Sequence, residues 1–441
     1  MRILLITHGL PPESVGGVEQ HVDGLARALT AAGHEVHVYA KTGRTGPEQG
    51  TALAEPAADT PYRVTRFVYR YEGLDGLRSL YAVPALDDAL RTFLAHNPFD
   101  VAHVHHLTGV STGALGVLRD AGIPTALTLH DYWLLCPRGQ MWNRDGKVTE
   151  EITPGGCAAC LRPTFGKWIP AGDEGNAVLA DLHQLARETL AIPDALVAPS
   201  ARAVPPFLPF GVEPERVRIV ENGVDTAALR ALPLPDLAAA DRPLRIGYLG
   251  TLIPSKGLDI LVRAFQALPQ GRAELRIHGN VVPYHGDQGF LTRALQALTP
   301  EDRVSYFGPY RTGDLPRILG GIDILVAPAL WHEAFGLTVR EALAAGRPTI
   351  VSRVGGLQDA LTDGVHGRIV APGDVEALAA ALTEMTGDRE ALRAMARACR
   401  AAAPVRGFAE MASDLEDLYR ELADRRAGAQ ESEPPPAPTP G

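Results

Sequence analysis

Short runs of apolar residues alternate along this chain with longer stretches in which apolar side chains recur every three or four positions. "RILLIT" (2–7) is uninterrupted, the pattern of a strand covered on both faces, and "GVEQHVDGLARALTAAG" (17–33) has helical spacing and stops at Gly33. "HEVHVYA" (34–40), "DVAHVHH" (100–106), "PTALTLH" (124–130), "DALVAPS" (194–200) and "RVRIVENG" (216–223) read as further strands. A stretch with three prolines and no strand pattern, "AALRALPLPDLAAADRP" (227–243), then reads as a linker. A second series runs through "LRIGYLG" (244–250), "AELRIHG" (273–279), "RVSYFG" (303–308), "DILVAPA" (323–329), "PTIVS" (348–352) and "GRIVAP" (367–372), with helical patterns in most gaps.

Strand–helix alternation of this kind predicts parallel sheets with helices on both faces. The expected fold is therefore α/β, with two doubly wound, Rossmann-like domains facing across a cleft. The first spans 1–226 and the second 244–407, joined by the linker 227–243. The last helical pattern, "FAEMASDLEDLYRELADRR" (408–426), has no strand after it and could pack across both domains. Residues 427–441, ending "PPPAPTPG", have almost nothing to bury and read as a disordered tail.

Composition narrows the class. A chain of 441 residues is too long for one ordinary core. A net charge of −10 excludes the basic face of a nucleic-acid binder. "MRILLITHGLPP" has too short an apolar run for a signal peptide, and no run of about eighteen apolar residues would span a membrane. Four cysteines do not make a disulfide scaffold. The expectation is a cytoplasmic protein, able to visit the inner face of a membrane.

Ligands in open parallel sheets sit beyond the carboxyl ends of the strands, so the residues just after strands carry the chemistry. After "DILVAPAL" comes Glu333, then Phe335, Gly336 and Leu337 opening a helix, then Glu341 on it. The free amides of a helix start suit a phosphate, and an acid on each side suits two sugars. Alone, the same pair reads equally as a helix cap and a solvated side chain. "GTLIPSKG" (250–257) adds Thr251 and Lys256 after another strand, and "HGLPPESVGGVE" (8–19) places Gly16 and Gly17 before a helix. The latter is not G-x-G-x-x-G, which leaves a dehydrogenase without its fingerprint. "TLHDYW" (128–133) leaves His130 at a strand tip, where a packed histidine and a catalytic one are both open. Gly355 and Gly356 offer more amides to the same cleft.

Together these stretches resemble the retaining GT-B glycosyltransferases of the family 4 type (glycosyl transferases group 1) over nearly the whole chain. The strongest match is 323–374, with two glutamates separated by seven residues; "GGVEQHV", "TLHD", "VENGVD" (220–225) and "GTLIPSKG" add to it. The resemblance implies transfer of a hexose from a nucleotide diphosphate sugar to a glycan, lipid-linked or small-molecule acceptor, as in polysaccharide or glycolipid synthesis, with the anomeric configuration kept. Carried over residue by residue, Glu341 would bind the ribose and Glu333 the hexose. The amides near Gly336 and Lys256 would neutralise the diphosphate, His130 would lie beside the transferred sugar, and Gly16 and Gly17 would let the first loop approach the phosphates. Neither a cofactor nor a catalytic metal is implied. Thr251 stands where the family usually has arginine, so one phosphate cation is missing.

An insert at about 131–172 carries Cys136, Cys157 and Cys160. The C-x-x-C is a metal-knuckle spacing, but structural zinc takes four ligands; the resemblance implies a fourth cysteine in this insert in some relatives, and here Val148 lies near that place, so reduced buried thiols are the favoured reading. Trp133, Trp142, Arg138 and Arg144 in or beside it stand where an acceptor would lie, with plain loop packing the competing reading. Rival functions are a nucleotide-sugar epimerase, a glycosidic phosphorylase with a lysine-bound pyridoxal cofactor, and, outside enzymes, a two-domain sugar-binding protein.

Overall fold

A computed structural model describes residues 1–55, 60–238, 242–284, 286–402 and 405–432. The first sheet contains β1 (Arg2–Thr7), β2 (Glu35–Thr42), β3 (Ala52–Ala54), β4 (Arg63–Val68), β5 (Val101–Val104), β6 (Thr125–Thr128), β7 (Ala195–Ala198) and β8 (Val217–Ile219). Its spatial order is β3-β4-β2-β1-β5-β6-β7-β8, parallel except for the antiparallel edge pair β3–β4. The second contains β9 (Leu244–Leu249), β10 (Ala273–His278), β11 (Val304–Tyr306), β12 (Ile324–Ala327), β13 (Thr349–Ser352) and β14 (Gly367–Val370), in the order β11-β10-β9-β12-β13-β14. The protein thus has two doubly wound α/β units. The central strands β1, β5, β9 and β12 are mostly buried, so they read as largely apolar runs rather than alternating ones, interrupted by His103 in β5 and Arg245 in β9.

The order reverses between β1 and β5 in one sheet and between β9 and β12 in the other. Loops leaving such a pair diverge and open a crevice. Two of these crevices face each other, and that places the site.

β3 and β4 escaped the sequence reading. β4 carries two arginines, and Arg66 is buried inside it, donating to the carbonyls of Leu10 (3.4 Å) and Pro11 (3.2 Å). A charged residue in a strand breaks the apolar pattern even when the fold satisfies it.

The last helix, Phe408–Ser432, returns to the first sheet. Met411, Leu415, Tyr419 and Leu422 are buried with Val22, Leu25 and Leu29 of the helix Gly17–Ala31, and the Tyr419 hydroxyl meets His103 Nδ1 at 2.6 Å. The helix continues through 427–432, which had been expected to belong to the tail; 433–441 lie outside the described residues. The stretch 227–243 begins with a short helix, Thr226–Arg230, capped by the Asp225 side chain, and 239–241 lie outside the described residues.

Candidate active site

The loop after β12 is shaped by a glycine. Gly336 has φ +83°, and a Cβ there would stand 2.3 Å from Leu357 Cδ2, so a side chain is excluded by both backbone and space. The helix Leu337–Ala344 starts at this residue, Leu337 and Thr338 of its first turn line the cleft, and Glu341 follows one turn later. Burial alone pushes the Glu341 carboxyl up to about 7. Glu333 stands on the other side of the turn, ion-paired with Lys256 Nζ, which lies 5.0 Å over the Trp331 ring.

Three supports fix that loop, and the sequence reading noted none as such. Arg340, 2% exposed, donates to the Phe335 carbonyl and, at 3.3 Å, to the Gly356 carbonyl, with its guanidinium 3.4 Å from the Phe335 ring centre. Ser200, at the end of β7 in the other unit, donates to the Ala334 carbonyl at 2.8 Å. Gly356 N–H donates to the Glu333 carbonyl at 2.8 Å. The Gly355–Gly356 turn therefore spends an amide on holding the loop. Both glycines are buried, and neither lines the cleft as expected.

From the first sheet, Gly16 and Gly17 start the helix after β1. A Cβ on Gly17 would touch Leu337 Cδ1 at 3.3 Å, so the two units meet here with no room to spare. Thr251, at the end of β9, and Lys256 complete the wall opposite. Apart from Gly355 and Gly356, the residues expected on the donor side, together with His130, Asn222, Tyr248 and Tyr310, line a single cleft of about 300 Å³. Among its described lining residues, Lys256 is the one lysine or arginine.

Residues 15–228 match the family described as Glycosyltransferase Family 4, and residues 235–402 that described as Glycosyl transferases group 1. The chain is a family 4 glycosyltransferase. It is 28% identical over 411 residues to a glycogen synthase of Mycobacterium tuberculosis, covering 91% of this chain and 89% of that one. A sucrose-phosphate synthase from Thermosynechococcus elongatus superposes with a TM-score of 0.72 at 22% identity, over 96% of this chain and 99% of that one. An Anabaena protein solved with UDP-glucose gives 0.62 at 19% identity, over 98% and 100%. These structural likenesses establish the GT-B fold.

In this glycosyltransferase His130 is held from behind. Its Nε2 lies 3.3 Å from His105 Nδ1, and its ring sits 4.7 Å from that of His21. Burial, then the neighbouring imidazoles, depress His130 well below the usual histidine range, so it is neutral. Asp131 next to it, held low mainly by His106 against the cost of its burial, accepts from the Trp133 amide at 2.9 Å and faces His106 at 3.2 Å.

The insert folds as a short bridge between Trp142 and Val148 and a helix, Pro154–Phe165, capped by Thr153. Trp133 and Trp142 are buried, and Trp133 stacks 4.1 Å from Tyr81. Arg138 donates to Cys160 Sγ (3.2 Å) and Thr164 Oγ1 (3.1 Å). These three side chains pack the insert, so the acceptor-facing reading fails for them. Arg144 lines a separate, largely apolar cavity with the three cysteines. All three are free thiols; burial pushes Cys157 up to about 12 and Cys136 upward. Their sulfurs are not gathered at metal-ligand spacing; among the described residues only His21, His105 and His130 are. Gln140 accepts from Ser255 Oγ (2.5 Å) and Tyr284 OH (3.1 Å), anchoring the insert to the second unit beside Lys256. Among the described residues no helix is long and apolar enough to cross a membrane.

Proposed function

We propose that this glycosyltransferase moves a hexose from a nucleotide diphosphate sugar to a hydroxyl acceptor, with retention at the anomeric carbon and without a catalytic metal. The observation that carries the reading is the gathering in one cleft of two acids on either side of a helix start, a lysine, and a glycine pair from the opposite sheet. The Anabaena structure with UDP-glucose supports a nucleotide-sugar donor.

The roles follow from position. Glu341, one turn into the helix, accepts from the ribose hydroxyls; Glu333, beyond the turn, accepts from the hexose. The amides at Leu337 and Thr338, the Gly16–Gly17 turn and Lys256 meet the diphosphate. The C1–O bond breaks while negative charge grows on the leaving phosphate, and donors already aimed at that charge lower the barrier most. The departing phosphate oxygen takes the acceptor's proton as the acceptor oxygen bonds to C1 on the same face. His130, neutral and half-buried in the cleft wall, orients the sugar by hydrogen bonding. The acceptor enters from the first unit's side; a glycan, a lipid-linked sugar and a small polyol all fit this chemistry.

The test is a thermal-shift panel of UDP-, ADP- and GDP-hexoses, followed by NMR of the product anomer. A hundredfold excess over Kd adds about 2.7 kcal/mol of stability, which is readily seen. Stabilisation by none of the panel, or an inverted anomer, overturns the reading. Turnover of the donor with no acceptor present favours an epimerase.

A further inference from the structure

Behind the cleft wall that His130 helps to form, at the end of β5 and on the helix after β1, lie two imidazoles whose hydrogen bonding does not close. His21 is 3% exposed, and neither ring nitrogen has a hydrogen-bond partner. His105 is fully buried; its Nδ1 faces His130 Nε2 at 3.3 Å while its Nε2 has none. A buried imidazole N–H left unpaired is costly, and His21 carries one in either tautomer. The neighbouring His103 shows the ordinary solution: Tyr419 OH and Thr128 Oγ1 each meet one of its nitrogens at 2.6 Å.

The geometry has a second reading. One ligand nitrogen from each of His21, His105 and His130 lies within 4.8 Å of the other two. Two imidazole nitrogens on one tetrahedral zinc, at about 2.0–2.1 Å from the metal, stand about 3.3–3.4 Å apart, with ring centres about 5 Å apart. Here the His105–His130 nitrogens are 3.3 Å apart, and the three ring-centre distances are 4.7, 5.0 and 5.6 Å. Burial holds all three rings far below the histidine range, to about 3 for His21, so their lone pairs are free at neutral pH. No carboxylate or thiol joins the group. An all-imidazole set selects a borderline divalent ion over magnesium or calcium.

We propose that His21, His105 and His130 bind one divalent cation of the zinc class, with water as the fourth ligand, tying the helix that carries the Gly16–Gly17 turn to the strand ends that present His130. The site rests on the buried rings and not on the transfer reaction, so it stands or falls separately from that reading.

The test uses tag-free, full-length protein, stripped with a chelator and titrated with Co(II) and Zn(II). The expected result is one equivalent bound, tetrahedral Co(II) bands in the visible, a raised Tm, and three imidazole nitrogens by X-ray absorption at the metal edge. His21→Gln and His105→Gln should each weaken binding at least about 100-fold. His37→Gln, a buried histidine elsewhere in the same unit, should not change it. Sub-stoichiometric binding, or unchanged Co(II) bands in His21→Gln, overturns the site and leaves a hydrogen-bonded trio of neutral rings. If the glutamine variants do not fold, the ligand count on the unmutated protein decides, and fewer than three imidazoles overturns it.

Discussion

Donor affinity should rise about tenfold between pH 6 and pH 8, because of Glu341. Its carboxyl is pushed up to about 7 by burial, and no cation faces it. A ribose diol can donate two hydrogen bonds to a carboxylate but not to both oxygens of a carboxylic acid, so binding draws the group into its ionised form. With a pKa near 7, about one tenth is ionised at pH 6 and about nine tenths at pH 8; the ratio is about tenfold, or about 1.4 kcal/mol. A nucleotide sugar carries a diphosphate diester that does not titrate in this window, which makes it the ligand of choice. Calorimetry at pH 6, 7 and 8, in two buffers of different ionisation enthalpy, should show tighter binding at higher pH and release of about half a proton at pH 7. Glu341→Gln should flatten the profile. The same group acts on the free protein with the opposite sense: the native state holds more protons than the unfolded chain, so stability falls as pH rises from about 4.5 to about 7, by up to about 3 kcal/mol, and is flat beyond. A flat affinity profile in the unmutated enzyme, or the same slope in Glu341→Gln, refutes the ribose assignment.

Glu341→Ala should weaken free nucleotide and nucleotide sugar alike, whereas Glu333→Ala should spare the free nucleotide; titration of both ligands into both variants checks this, and equal losses throughout would undo the division of roles. Lys256→Ala should lower kcat/KM by one to two decades, mainly in kcat, the worth of a charge-assisted hydrogen bond of about 1.5–3 kcal/mol. Thr251→Arg should restore part of that loss in the double variant, and steady-state kinetics showing a wild-type kcat for Lys256→Ala would make the lysine a bystander. Arg340→Met strips two buried carbonyls of their donor and should destabilise the fold by about 2–4 kcal/mol in urea titrations.

The two sheets were legible because strands buried on both faces are mostly apolar: β12 is wholly so, β1 is so between its end residues, and β9 is broken only by Arg245, which pairs with Asp323. The lining of the cleft was legible for a different reason: Glu333, Gly336, Glu341, Lys256 and the Gly16–Gly17 turn all lie just past strand ends, where topology opens a crevice whatever the loops contain. What stayed hidden was support from a distance. Arg340 sits in "VREAL", where helical spacing offers no sign that a charged side chain is buried under the Phe335 turn; only the fold of the Gly355–Gly356 loop makes a home for it. Ser200 reaches Ala334 across 134 positions. His21 and His105 look like ordinary members of a helix and a strand, and they become a cluster only when β5 and β6 lie side by side against the first helix. Trp133 and Trp142 misled in the opposite direction, since a large aromatic in an insert reads as a ligand platform until its packing partners are known.

The pairing of Lys256 with Glu333 bears on the missing arginine. With Thr251 in place of a cation, a free cleft lined by one lysine and two acids would be net negative, a poor host for a diphosphate. Two features reduce that charge before a donor arrives. Burial keeps Glu341 largely protonated below neutral pH, and Lys256 neutralises Glu333. On the proposed roles, donor binding would then exchange partners: the phosphates would take over the lysine and the helix amides, while the sugar hydroxyls would take over the carboxylates. Each acid gains neutral donors where it loses a proton or a cation, so neither is left bare in a water-poor cleft. On the same roles, the exchange would place Lys256 against the leaving phosphate only when a hexose is there to satisfy Glu333.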